Sequence, residues 1–200
     1  MIEYSYKILE NKKIILNNYS LKNINSNSIE KIRKWRNNQI SILRQKKNIN
    51  TDDQKIYFES IIKKETKKNK PEQIILLFCY KNKTLGYGGI TNIDWITSRG
   101  ELAFLLDDRY ANKTIDSEKY FPIFINLIKL LAFDILKIRT VWSETFSIRP
   151  KYIRQLELNS FVNVGIIKNN LVYKNKIYSS YFHELYKNFC FPKVLTALLI

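Results

Sequence analysis

Three side chains in the second half of the chain are the candidates to take a proton from a nucleophile: Glu101, Glu144 and the single histidine, His183. A carboxylate or imidazole acts as a general base when it lies within hydrogen-bond reach of the proton it removes. Each also has a plainer reading. A glutamate at a sheet rim often only pairs with lysine or arginine, and a lone histidine in an aromatic string (SYFHEL) often only packs. A second constellation is the turn Arg109-x-x-Asn112-x-Thr114, with Lys113 inside it, set between an apolar strand (ELAFLL) and an apolar helix (YFPIFINLIKLLAFDIL). Unpaired N–H groups and the dipole at a helix N-terminus attract anions. A polar turn with two cations there suits a phosphate; its plain alternative is a surface turn. Cys79 and Cys190 lie far apart and fit no metal spacing, so no metal is expected.

Two hundred residues suit one domain with a full core. A single domain over 1–200 is expected, with an apolar tail from about 187 (VLTALLI at its end). The net charge of +16 would ordinarily suggest a polyanionic partner. However, Ile, Lys and Asn together make up more than a third of the chain and share AT-rich codons. The lysines are scattered, as on a solvated face, so no nucleic acid is expected. Two unpaired cysteines and no signal peptide point to the cytoplasm. No membrane span is expected: 121–136 is interrupted by Asn126, Lys129 and Asp134. The tail is too short to span and would pack on the body or on a second copy, which allows a homodimer.

The elements that must position these residues are legible from periodicity and punctuation. A strand is expected over 13–21 and a helix over 29–36 with Ser28 as N-cap, then a helical piece near Ile40. A helix over 53–64 follows, capped by Thr51 or Asp52, and a lysine-rich connection runs to Pro71. The apolar run 73–80 reads as a strand buried on both faces. After a turn at Asn82-Lys83 comes a strand over 84–93, in which Gly86, Gly88 and Gly89 mark a bulge or a close approach. A strand over 99–106 precedes the polar turn. Pro122 suits only a first helical turn, so the core helix is expected to start near Tyr120. A strand over 138–146, a helix over 150–161 and strands near 161–167 and 171–185, separated by KNN, complete the chain.

This order, β-αα(α)-βββ-α-β-α-ββ, together with Arg109-x-x-Asn112-x-Thr114, resembles the GNAT-type N-acetyltransferases. The resemblance implies an α+β fold: a central mixed, mostly antiparallel sheet of about seven strands flanked by helices. It also implies acetyl-coenzyme A as co-substrate. The strand before the core helix would splay from its neighbour and bind the pantetheine arm, with an N–H at Leu105 or Leu106 holding the thioester carbonyl. The turn would wrap the pyrophosphate, which assigns Arg109, Asn112, Lys113 and Thr114 to the cofactor. The family pattern [RQ]-x-x-G-x-[GA] carries glycines where this chain has Asn112 and Thr114. The string RPKYIRQLELNSF resembles the family's N-x-x-[AS]-[IL]-x-x-[YL]-E-K-x-G-F. Arg149 stands where an asparagine contacts pantetheine, and Glu157 and Phe161 match. Leu156 replaces the tyrosine that protonates the departing thiolate. Tyr152, one turn away, is the candidate acid; water, or no acid, are the alternatives, since a thiol of pKa about 8.5 leaves fairly well.

The string IEKIRKWRNN resembles the "WRN" segment of two family branches. One acetylates N-termini of ribosomal proteins. The other acetylates amino groups of nucleotide-linked deoxysugars for surface glycans, as in the pseudaminic-acid pathway. The resemblance places Trp35, Arg36 and Asn37 at the acceptor, with His183 as a further substrate contact and Glu101 and Glu144 as the preferred bases. Trp35 reads equally well as the core anchor of its helix. An amine of pKa about 8 is roughly a tenth neutral at pH 7, whereas lysine is well under a thousandth neutral. A small amine acceptor, above all an amino-sugar nucleotide, is therefore expected ahead of a lysine side chain. A protein N-terminus, or a GNAT-like binding module that has lost activity, are the alternatives.

Overall fold

The computed structural model describes residues 2–43, 45, 47–111 and 114–187, with the backbone alone at 114–117. Asn112, Lys113, Cys190 and the apolar tail lie outside the described residues. The short strands β1 (Glu3–Tyr4) and β4 (Ile24–Asn25) pair with each other. Between them the expected strand over 13–21 is a hairpin, β2 (Ile14–Leu16) and β3 (Tyr19–Lys22). Its turn holds Asn17 at φ 53°, a left-handed conformation that asparagine tolerates better than most residues. α1 (Ser26–Asn38) starts before Ser28, whose hydroxyl donates to Asn25 Oδ1 at 2.9 Å. α2 (Thr51–Tyr57) is capped by Asn50, which accepts from the Asp53 N–H at 2.7 Å. It runs through a π-helical turn (Phe58–Ile62) into α3 (Lys63–Lys67).

The meander follows as β5 (Ile74–Tyr80), β6 (Lys83–Asp94) and β7 (Arg99–Leu106). Next come α4 (Asp108–Ala111), α5 (Thr114–Lys129) and a π-helical turn (Leu130–Ile135). β8 (Thr140–Phe146), α6 (Pro150–Leu158), β9 (Val162–Tyr173) and β10 (Lys176–Tyr186) end the described chain. Among the described residues the main sheet has eight strands, one more than expected, in the order β2-β3-β5-β6-β7-β8-β10-β9. All its pairs are antiparallel except β7 with β8. The KNN stretch does not break β9. The turn is Lys174-Asn175, both at positive φ, as a two-residue hairpin requires.

Apolar residues cover both faces of the sheet. β5 sends Ile74, Leu76 and Phe78 into the larger core under α5, and Ile75, Leu77 and Cys79 into the smaller one under α1. The core helix starts at Thr114, not near Tyr120, so Pro122 lies inside it. An interior proline costs about 3 kcal/mol. Phe124, Ile125, Leu127 and Ile128 are all fully buried just beyond it, and at about 1.5–3 kcal/mol each their burial outweighs that cost.

Gly89 lies on β6 at φ 154°, where an added Cβ would stand 2.0 Å from the Ile74 carbonyl oxygen. Backbone strain of this kind costs about 1–3 kcal/mol before the clash is counted. Gly89→Ala should therefore lower the unfolding free energy from urea titration by at least that much, whereas Gly165→Ala, with open space around it, should leave it nearly unchanged.

Candidate active site

The parallel ladder between β7 and β8 is only three residues long, from Arg99 opposite Thr140 to Glu101 opposite Trp142. Beyond it β7 stays with β6 as far as Leu106, and β8 stays with β10 as far as Phe146. The two strands therefore fork. The Asp107 N–H donates to Leu85 O at 2.9 Å, continuing the β6–β7 register. In an antiparallel pair such bonded pairs alternate. Leu105 thus bonds into the sheet, while Phe104 and Leu106 turn their N–H and C=O groups to the fork. One of these, Leu106 O, accepts from Gln39 Nε2 at 2.8 Å. Of the two positions expected to hold a thioester carbonyl, Leu106 has the outward N–H and Leu105 contributes its side chain.

A cavity of about 260 Å³ lies in the fork on the α1 side, walled by Arg36, Tyr87, Glu101 and Glu144 among others. A groove of about 610 Å³ runs from Asn38 and Gln39 past Leu106 and Phe121 to Pro150 and Gln155. Ile42, Phe104, Leu105, Arg149 and Tyr152 line both. The long groove with outward backbone groups fits an extended pantetheine arm, and the cavity fits an acceptor.

Glu101 ends the ladder at 4% exposure and accepts from Asn92 Nδ2 at 2.6 Å. Glu144 accepts from the Ser180 hydroxyl at 2.7 Å. Both carboxylates line the small cavity. Tyr152 packs edge-on against Phe121, and the Arg149 guanidinium lies 4.1 Å from its ring centroid. Burial raises the Tyr152 hydroxyl above its ordinary pKa, while the Arg149 charge and Ser143 act against that rise. The phenol therefore holds its proton at neutral pH. Leu156 is fully buried in the main core and does not reach the site.

The α1 residues take different parts. Arg36 reaches the cavity wall, donating to the Tyr87 hydroxyl at 3.0 Å and to Gln45 Oε1 at 3.1 Å. Trp35 is 5% exposed within the smaller core and is an anchor. The Asn37 carboxamide is spent on the chain after α1: it donates to Ile49 O and accepts from the Ile49 N–H, both at 2.9 Å. His183 does not join the site. It is fully buried and lines neither cavity, with Nε2 3.6 Å from Glu157 Oε1. Burial lowers its pKa against the pull of Glu157.

In the polar turn, the Arg109 guanidinium folds back onto Asp107, with contacts of 2.9 and 2.6 Å. Thr114 opens α5. Sequence reasoning missed Gln39, Tyr87, Asn92 and Asp107. Only Asp107 carried a local signal, an Asp-Asp-Arg string directly after an apolar strand. Among the described residues no cluster of three or more metal-ligating side chains occurs, and no helix is long and apolar enough to cross a membrane.

A family model described as an acetyltransferase (GNAT) domain matches residues 21–182. No curated protein matches the sequence. Among solved structures, the chain is similar to the spermidine N-acetyltransferase of Vibrio cholerae in complex with CoA and spermine. The identity is 13% and the TM-score 0.74, over 86% of this chain and 97% of that one. It is also similar to a dodecameric form of that enzyme in an intermediate state, at 14% identity and TM-score 0.68, over 86% and 95%. At these identities the likeness is one of fold. The family match spans most of the chain, which therefore belongs to the GNAT acetyltransferase family and is an acyltransferase.

Burial alone would raise the Asp107 carboxyl, but the Arg109 guanidinium and N–H together hold it below its ordinary value of 3.8. A depressed carboxyl stabilises the fold fully above that pH, and the stabilisation is lost as pH falls through the folded value. Arg109 is largely exposed, so water screens the pair and its contribution is modest. Asp107→Asn should lower the urea midpoint at neutral pH, and the gap to the parent protein should close as pH drops below about 4. A gap independent of pH would contradict the pairing.

Proposed function

We propose that the protein transfers the acetyl group of acetyl-coenzyme A to a primary amine on an anionic acceptor, an amino sugar carried on a nucleoside diphosphate. The observation that carries this reading is the fork, where a co-substrate groove and an acceptor cavity meet at shared residues. Acetyl-coenzyme A supplies an activated thioester. The chain's own residues supply the rest. The outward N–H groups of Phe104 and Leu106 lie where a thioester carbonyl can be held, and such preorganised donors stabilise the oxygen as it gains charge. Glu101 or Glu144 takes the proton of the attacking amine, directly or through one water. Arg36 stands at the cavity wall, where a phosphate can be bound.

Charge favours the anionic acceptor. A chain of net charge +16 draws a nucleotide diphosphate and repels a polycation at long range. One observation favours a second reading, a polyamine acceptor. Two carboxylates face the small cavity, and the Vibrio cholerae relative is described with spermine bound. Salt separates the two readings. Added salt should lower kcat/KM for an anionic acceptor and raise it for spermidine if the net field governs encounter. Release of coenzyme A, followed with a thiol reagent, should be faster with an amino-sugar nucleotide than with spermidine. The reverse order would establish the polyamine reading.

Replacing the base should be equally visible. Of Glu101→Gln and Glu144→Gln, at least one should lower kcat by about 10²–10⁴-fold and remove the acidic limb of the pH profile. Full turnover by both variants across that limb would show that neither carboxylate is the base.

A further inference from the structure

Among the described residues five line both the acceptor cavity and the co-substrate groove, and three of them are apolar. The two polar ones, Arg149 and Tyr152, are stacked. The reacting sulfur must lie at this junction, because the acceptor nitrogen has to reach the thioester carbon from one side while the pantetheine arm lies on the other. Arg149 is the N-cap residue of α6, and its half-buried side chain lines both spaces. Among the described residues no carboxylate pairs with it, although Glu101 and Glu144 line the same cavity. A half-buried guanidinium at the junction with no carboxylate on it is a ready seat for an anion. Burial pushes the guanidinium below its ordinary pKa, but arginine stays charged throughout the working range of a protein.

We propose that Arg149 is a catalytic residue that holds the departing coenzyme A sulfur as a thiolate, so that transfer needs no proton from Tyr152. The proposal rests on the acetyl-transfer reading above. In the step, the amine lone pair forms the C–N bond and the C–S bond breaks, its electron pair leaving on sulfur. The amine proton goes to the carboxylate base, and the sulfur stays anionic beside the guanidinium until coenzyme A departs. This accounts for Leu156 in the core where the family carries an acid. Tyr152 becomes the platform that holds Arg149 flat across the fork, a positioning residue.

The direct test is the thiol pKa of bound coenzyme A, followed by thiolate ultraviolet absorbance against a complex with desulfo-coenzyme A. In the parent protein it should fall at least one unit below the ordinary value of about 8.5. Arg149→Gln should return it to that value or above, and Arg149→Lys should lie between. In turnover, Arg149→Gln should lose about 10²-fold or more in kcat, the scale of a lost oxyanion-type donor. Tyr152→Phe keeps the ring and should stay within about fivefold of the parent, far less than loss of a general acid would cost. Arg149→Met, which keeps the stem on the ring, guards against a folding defect in the glutamine variant.

An identical bound-thiol pKa in parent and Arg149→Gln overturns the proposal. So does a Tyr152→Phe loss as large as that of Arg149→Gln. If the parent binds coenzyme A and Arg149→Gln does not, Arg149 anchors the co-substrate and the thiolate role is wrong. If the parent itself does not bind coenzyme A, the acetyl-transfer reading fails and this proposal fails with it.

Discussion

Hydrogen bonds between β7 and β8 end at Glu101 and Trp142, and from there each strand follows a different neighbour. β6 holds β7 to its end and β10 holds β8 to its end, so neither can turn inward to close the gap. The inner edges are left with backbone donors and acceptors that the sheet does not satisfy. A buried polar group without a partner costs about 1–3 kcal/mol. The fork must therefore hold water, or a ligand with its own alternating donors and acceptors. A pantetheine arm, with its two amides, is such a ligand.

The rest of the fold keeps the fork open and equips its walls. Phe104 packs on Phe121 and Phe124 of α5, which fixes β7 from one face. Trp35 anchors α1 on the other face, which places Arg36 at the cavity wall and Gln39 against Leu106. The π-helical turn after α5 and the short link into β8 bring α6 back over the gap, with Arg149 and Tyr152 at its start. Among the described residues charge in the fork is mixed, with Arg36, Arg149, Glu101 and Glu144 around about 260 Å³. Such an arrangement suits a substrate that brings an anionic group and an amine together.

The order of strand, long apolar helix and strand around the fork was legible from hydrophobic runs and turn residues, whereas the fork itself was expected from the family resemblance. Roles that depend on long-range contact were not legible. Trp35 and Arg36 are neighbours in sequence, yet one faces the core and the other the cavity. Asn37 looked like part of a ligand motif but ties down the chain at Ile49. His183 reads as chemistry in sequence and is sealed in the interior beside Glu157. Pro122 misled the helix start because local propensity was overruled by burial of the residues after it. The partners Gln39 and Asn92 carry no signal in sequence, since what they bind lies on other strands.

The central claim, that this fork is an acyl-coenzyme A site, is tested most directly by thermal melting with and without acetyl-coenzyme A. A ligand at a hundred times its dissociation constant adds about 2.7 kcal/mol to the folded state. For a domain of this size that is a rise of about 5–10 °C. The account predicts such a rise with acetyl-coenzyme A and with coenzyme A. No rise at millimolar concentration of either would contradict it, and the fork would then belong to a protein that keeps the fold without the chemistry.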